Sequence, residues 1–193
     1  FKTGTASKGS SGSVALRSGA AVSGAGGSIS VVIGSGSIGT GGRIAINAGE
    51  STVTTGGSVS VVTGLGSATS SGVFSIKTSD AGSDGVSGAL SFKTGTASLG
   101  STGSIAITSG AATSGAAGSI SVVVGSGSIG AGGRVNINAG ESTTSTGGMI
   151  SLMTGLGLAT SSGGFSVRTA HAGTAGVSGA LSFRTGIATI GSS

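Results

Sequence analysis

The sequence predicts an all-β protein: a parallel β-solenoid, or β-helix, of about 15 residues per coil, with a six-coil super-repeat of 91 residues. Three observations predict it. Glycine recurs at a fixed interval, apolar residues alternate with small ones just after each such glycine, and proline is absent. A strand, a glycine corner, a small-residue return and a second corner, repeated in register, read as one solenoid coil.

The interval comes first. Phe1-Lys2-Thr3-Gly4-Thr5-Ala6-Ser7 recurs at Phe92-Lys93-Thr94-Gly95-Thr96-Ala97-Ser98, and more weakly from Phe183-Arg184-Thr185-Gly186, so the long period is 91 residues. Inside it, anchor glycines stand at Gly12, Gly27, Gly42, Gly57, Gly72, Gly88, Gly103, Gly118, Gly133, Gly148, Gly163 and Gly179. They are 15 residues apart, except for 16 after Gly72 and after Gly163, and six such steps complete the long period. These glycines are the expected coil corners. The chain is thus expected to be one continuous segment over 1–193, in blocks 1–91 and 92–182 with the start of a third at 183–193. Phe1 begins in the middle of the pattern, and neither end carries a polar capping repeat, so an excerpt of a longer chain is expected.

The alternation follows each anchor. With the anchor as position 1, position 3 is Val14, Ile29, Ile44, Val59, Phe74 and Leu90, then Ile105, Ile120, Val135, Ile150, Phe165 and Leu181. Position 5 is Leu16, Val31, Ile46, Val61, Ile76 and Phe92, then Ile107, Val122, Ile137, Leu152, Val167 and Phe183. Position 4 between them is always Ala, Ser or Asn. Period-2 alternation of this kind marks a short strand, and positions 3 and 5 are the expected structural core. Phe74 with Phe92, and Phe165 with Phe183, are read as staggered aromatic plugs of that core. Position 8 is Gly in all but two repeats, where Ser79 and Ala170 stand, which suits a second bend. Position 10 is always Ala, Gly or Ser, as expected where space is tight. Two large apolar side chains cannot offset the ordering of fifteen residues, so stability is expected from neighbouring coils.

Composition closes off most chemistry. Gly accounts for 44 of 193 residues, roughly three times ordinary usage, with no Pro, Cys, Trp or Tyr. Collagen requires Pro, and a disulfide scaffold, thiolate zinc site or iron–sulfur cluster requires Cys. The many Val, Ile and Thr and a mean hydropathy of +0.47 argue against a disordered chain. Apolar runs such as Val31-Val32-Ile33 are far too short for a membrane helix, so no membrane span is expected. The net charge of +5 comes from having only four acids, not from a dense basic patch, and nucleic acid is not expected as a partner.

Motifs that look chemical have plainer readings. Gly34-Ser35-Gly36-Ser37-Ile38-Gly39 and its copy Gly125 to Gly130 match G-x-G-x-x-G, but another glycine-anchored strand follows instead of a helix. His171 is the only His, and Asp80 occupies its place one block earlier; Asp84 likewise becomes Ala175. Solvated turn residues explain them. Glu50 and Glu141, one per block, suit a weak surface pair with Arg43 and Arg134. No enzyme, catalytic residue, metal or cofactor is expected.

Position 6 faces outward by the same alternation. Arg17, Val32, Val62, Lys77, Lys93, Val123, Met153, Arg168 and Arg184 form a candidate lateral stripe of alternating basic and apolar groups. Its expected partners are other copies of the chain, lateral or end to end, with anionic polysaccharide or mineral as the alternative. An ice-binding face is a further alternative, prompted by Thr3-Gly4-Thr5 and Thr94-Gly95-Thr96. The outward Ser and Thr are candidate O-glycan acceptors.

The repeats Gly-Ser-Ile-Ser-Val-Val, Thr-Gly-Leu-Gly-Ser-Ala-Thr-Ser-Ser-Gly and Asp-Ala-Gly-Ser-Asp-Gly-Val-Ser-Gly-Ala-Leu carry a resemblance along the whole chain. It resembles large Gly/Ser/Thr-rich repeat proteins of marine algae of the diatom and stramenopile type. The resemblance implies a long, secreted surface or matrix protein and brings no catalytic residues. Together with the repeat, it leads to the expectation of a structural protein: a stiff extracellular or cell-surface filament or shaft built by stacking β-coils.

Overall fold

Residues 1–188 are described by a computed structural model. Among them there is no helix and no β-strand, which overturns the expected parallel β-solenoid, and the terms β-solenoid and β-helix do not apply. The physical reason lies in the hydrogen bonds. A strand exists only where a neighbouring strand completes its ladder. Here the backbone bonds outside turns close on residues only eight positions apart, as in Gly57 N–H to Gly49 O at 2.8 Å and Gly72 N–H to Gly64 O at 3.0 Å. Period-2 alternation reports which way side chains point, and says nothing about where N–H and C=O groups bond.

The 15-residue period nevertheless survives as backbone geometry. The chain divides into two units, Phe1–Gly103 and Ser104–Ser193. In the first, bends fall at 7–9, 22–24, 37–39, 52–54, 67–69 and 98–100, with a tight turn at 83–84. In the second, bends fall at 113–115, 128–130, 143–145 and 158–160, with a turn at 174–175. Every one of these lies at positions 11 to 13 of its repeat. The stretches between them, such as 25–36 and 40–51, run on without a bend. The two tight turns occupy the 16-residue repeats and are closed by Gly85 N–H to Gly82 O and Gly176 N–H to Gly173 O, each 3.3 Å. The extra residue therefore accompanies a different local turn.

No residue is buried among those described, and only Ser51, Thr63, Gly66 and Gly157 are half-buried. The chain exposes 19113 Å². A compact monomer of its 17.4 kDa exposes about 7,900 Å² and the unfolded chain about 25,000 Å². Each unit, over its described residues, is a succession of open loops without a buried core. Part of the third block, residues 189–193, lies outside the described residues.

Candidate functional site

Five of the anchor glycines, Gly27, Gly57, Gly72, Gly148 and Gly163, close a loop at a narrow neck. In the first unit Gly27 N–H donates to Gly19 O at 3.1 Å, and in the second Gly148 N–H donates to Gly140 O at 2.8 Å and Gly163 N–H to Gly155 O at 3.0 Å. Position 1 of one repeat thus meets position 8 of the repeat before it. The anchor glycines sit at these necks, and the bends lie a few residues upstream at the loop tips. A methyl group on Gly148 would lie 3.0 Å from the Gly140 nitrogen and 3.2 Å from Ala139 Cβ. On Gly57 it would lie 3.1 Å from the Gly49 nitrogen and 3.3 Å from Ala48 Cβ. Position 7 supplies the second wall of each neck: Thr3 faces Gly12, Ser109 faces Gly118, Thr169 faces Gly179, and Ile33 and Val124 press directly on Gly42 and Gly133. At Gly57 and Gly148 a side chain would crowd the backbone of position 8, and at Gly42 and Gly133 it would collide with the Ile33 and Val124 side chains.

The loop interior explains the small residues at position 10. A methyl on Gly36 would lie 2.9 Å from the Gly39 carbonyl oxygen, and one on Gly127 would lie 3.0 Å from that of Gly130. Gly66 and Gly157 face the Ser70 and Ser161 carbonyl oxygens in the same manner. Where position 10 is Ser, its hydroxyl finds a partner. Ser51 Oγ accepts from Thr54 N–H at 3.0 Å and lies 2.9 Å from Thr54 Oγ1; one block on, Ser142 Oγ accepts from Ser145 N–H at 2.9 Å. These bonds brace the bend with a local side-chain acceptor. At four other bends the third residue is a left-handed glycine: Gly9 and Gly24 with φ of 85° and 151°, and their block-equivalents Gly100 and Gly115 with 110° and 135°.

The residues read as core keep their alternation without burial. Along one stretch Ile29, Val31 and Ile33 are 50, 65 and 44 % exposed, against 83 % for Val32 between them. The equivalent Ile120, Val122 and Val124 are likewise less exposed than Val123. Positions 3, 5 and 7 therefore share a side of each repeat, and position 7 is the best shielded where it is Ile or Val. Phe74, Phe92, Phe165 and Phe183 are all exposed, so no aromatic plug forms among the described residues. That position 7 belongs with positions 3 and 5 was visible at Ile33 and Val124; Ala48, Ser18 and Thr63 at the same place hid it.

The outer stripe is open to solvent. Arg17, Lys77, Lys93, Arg168 and Arg184 are exposed, as are Val32, Val62, Val123 and Met153. Arg43, Glu50, Arg134 and Glu141 are exposed as well. A shallow open hollow runs beside Arg168, Thr169, Ala170 and His171, which are consecutive in the chain and converge on nothing. Among the described residues no three acids or His residues gather as a metal site, and no helix is long and apolar enough to cross a membrane. The chemistry available is hydrogen bonding by hydroxyls and backbone, weak cationic attraction, and apolar contact. Compared with known proteins, the chain matches no family model, no curated protein and no solved structure.

Proposed function

We propose that the chain is a structural, non-enzymatic protein of the extracellular matrix or cell surface, in which repeated open loops supply length and contact area. One observation carries the reading: 19113 Å² of surface is exposed by a chain whose compact form would expose about 7,900 Å². A catalytic protein needs a concave, preorganised site held by a packed scaffold. Here the regular feature is the repeat itself, and function is spread over all of its copies. Small-angle scattering tests this. A compact chain of this length has a radius of gyration of about 16 Å and an unfolded one about 47 Å. The monomer is expected well above the first value; a monomer at about 16 Å would overturn the reading.

A second reading is a binding surface for anionic polysaccharide. It is favoured by the net charge of +5 and by the exposed Arg and Lys groups at position 6. Salt-sensitive retention on a sulfated polysaccharide column is its expected signature.

A further inference from the structure

We infer that the side of each repeat formed by positions 3, 5 and 7 is an interface for a second copy of this chain, in register at the 15-residue spacing. The inference rests on the structural reading above and names the partner.

Area decides the kind of partner first. The exposed surface exceeds that of a compact monomer by about 11,000 Å². A stable interface of ordinary size covers about 800 Å² on each partner. One globular protein therefore leaves nearly all of the excess uncovered. A second repetitive chain of equal length is able to cover it, repeat by repeat.

Spacing then selects the copy. The apolar groups recur every 15 residues, with a 16-residue step after Gly72 and another after Gly163. A partner with uniform 15-residue spacing falls one residue out of step after each long repeat. The extra residue accompanies the turns at 83–84 and 174–175, so such a partner has no matching turn at those places. A second copy carries the same irregular steps at the same places, and a copy displaced by 91 residues carries them too.

Charge permits the pairing. The like-charged groups of the outer stripe stand at position 6, between positions 5 and 7 and on the opposite side of the alternation, as Val32 shows by its greater exposure than Val31 and Ile33. Face-to-face contact through positions 3, 5 and 7 leaves those cations in water, where repulsion is screened.

Sedimentation velocity of the full chain, from about 1 to about 200 µM, provides the test. Reversible association that strengthens with concentration is expected. Ile29→Ser with Val31→Ser, repeated at Ile120 and Val122, is expected to weaken it at least tenfold, because each apolar side chain removed from a buried contact is worth about that factor. Val32→Ser with Val123→Ser is expected to leave it within about twofold. Deleting Val86, which restores uniform 15-residue spacing in the first block, is expected to weaken pairing with the parent chain more than self-pairing. No residue is buried among those described, so these variants report on contact. A chain that stays monomeric throughout overturns the inference, as does equal weakening by the position 6 variant. So does association only on adding sulfated polysaccharide or lipid vesicles. A chain that stays monomeric at every concentration while expanded in scattering overturns this interface alone; a compact monomer overturns the structural reading.

Discussion

The amide of Gly148 donates to the carbonyl of Gly140 at 2.8 Å, and 91 residues earlier Gly57 makes the same 2.8 Å bond to Gly49. The equivalence shows that the long sequence repeat is also a repeat of hydrogen bonding. It also locates Gly57 and Gly148 at loop necks, where a side chain would meet the backbone of position 8.

Enlarging a neck glycine should open its loop. In Gly57→Val the side chain meets the Gly49 nitrogen and Ala48, so the Gly57–Gly49 bond is expected to break. Amide exchange at residue 57 should then speed up by up to about tenfold, the equivalent of one exposed hydrogen bond. Gly41→Val, with nothing within 4 Å of its Cβ, is the control and should leave that amide unchanged. Equal effects of the two would reject the neck.

Removing the hydroxyl acceptor should loosen one bend. Ser51→Ala deprives Thr54 N–H of its 3.0 Å partner, at a cost of about 1 kcal/mol. Faster exchange of the Thr54 amide and averaged backbone couplings over 52–54 are expected, with Ser51→Thr restoring both. An unaltered Thr54 amide in Ser51→Ala would show that water serves the bend equally well.

Left-handed glycines should resist replacement more than their neighbours. Gly9→Ala places a Cβ at φ of 85°, a conformation costing about 1–2 kcal/mol outside glycine. The bend at 7–9 should change its chemical shifts and couplings, whereas Gly4→Ala should not disturb its own surroundings. Comparable changes in both would remove the special role of Gly9.

Charge at position 6 should govern any attraction to polyanions. Arg17→Gln, Lys93→Gln and Arg168→Gln, added in turn, are expected to lower the salt needed to elute the chain from sulfated polysaccharide, step by step. An elution point that ignores all three places the contact elsewhere.

Several features were legible in particular residues. At Gly36 the carbonyls of positions 13 and 14 crowd the loop interior, and the restriction of position 10 to small residues announced that crowding. The side shared by Ile29 and Val31 was legible as alternation. Less legible was the place of the bends, since Val22-Ser23-Gly24, Ser37-Ile38-Gly39 and Thr52-Val53-Thr54 share a position and no common composition. Regular glycine at positions 1 and 8 looked like two corners; at Gly27, Gly57, Gly72, Gly148 and Gly163 it marks one place where two backbones meet.

The sequence by itself determined the periods, the sidedness of each repeat and the sites where only small residues fit, because these follow from residue size and from alternation along an extended chain. Only the tertiary structure decided how the backbone bonds are shared out. Gly27 N–H turns back to Gly19, only eight residues away along the chain. Closing so short a loop gives up little chain entropy, while a sheet between repeats must order a longer stretch before its ladder forms. Hydropathy is the same in both outcomes, so the choice between a stacked solenoid and a series of open loops lay outside the pattern.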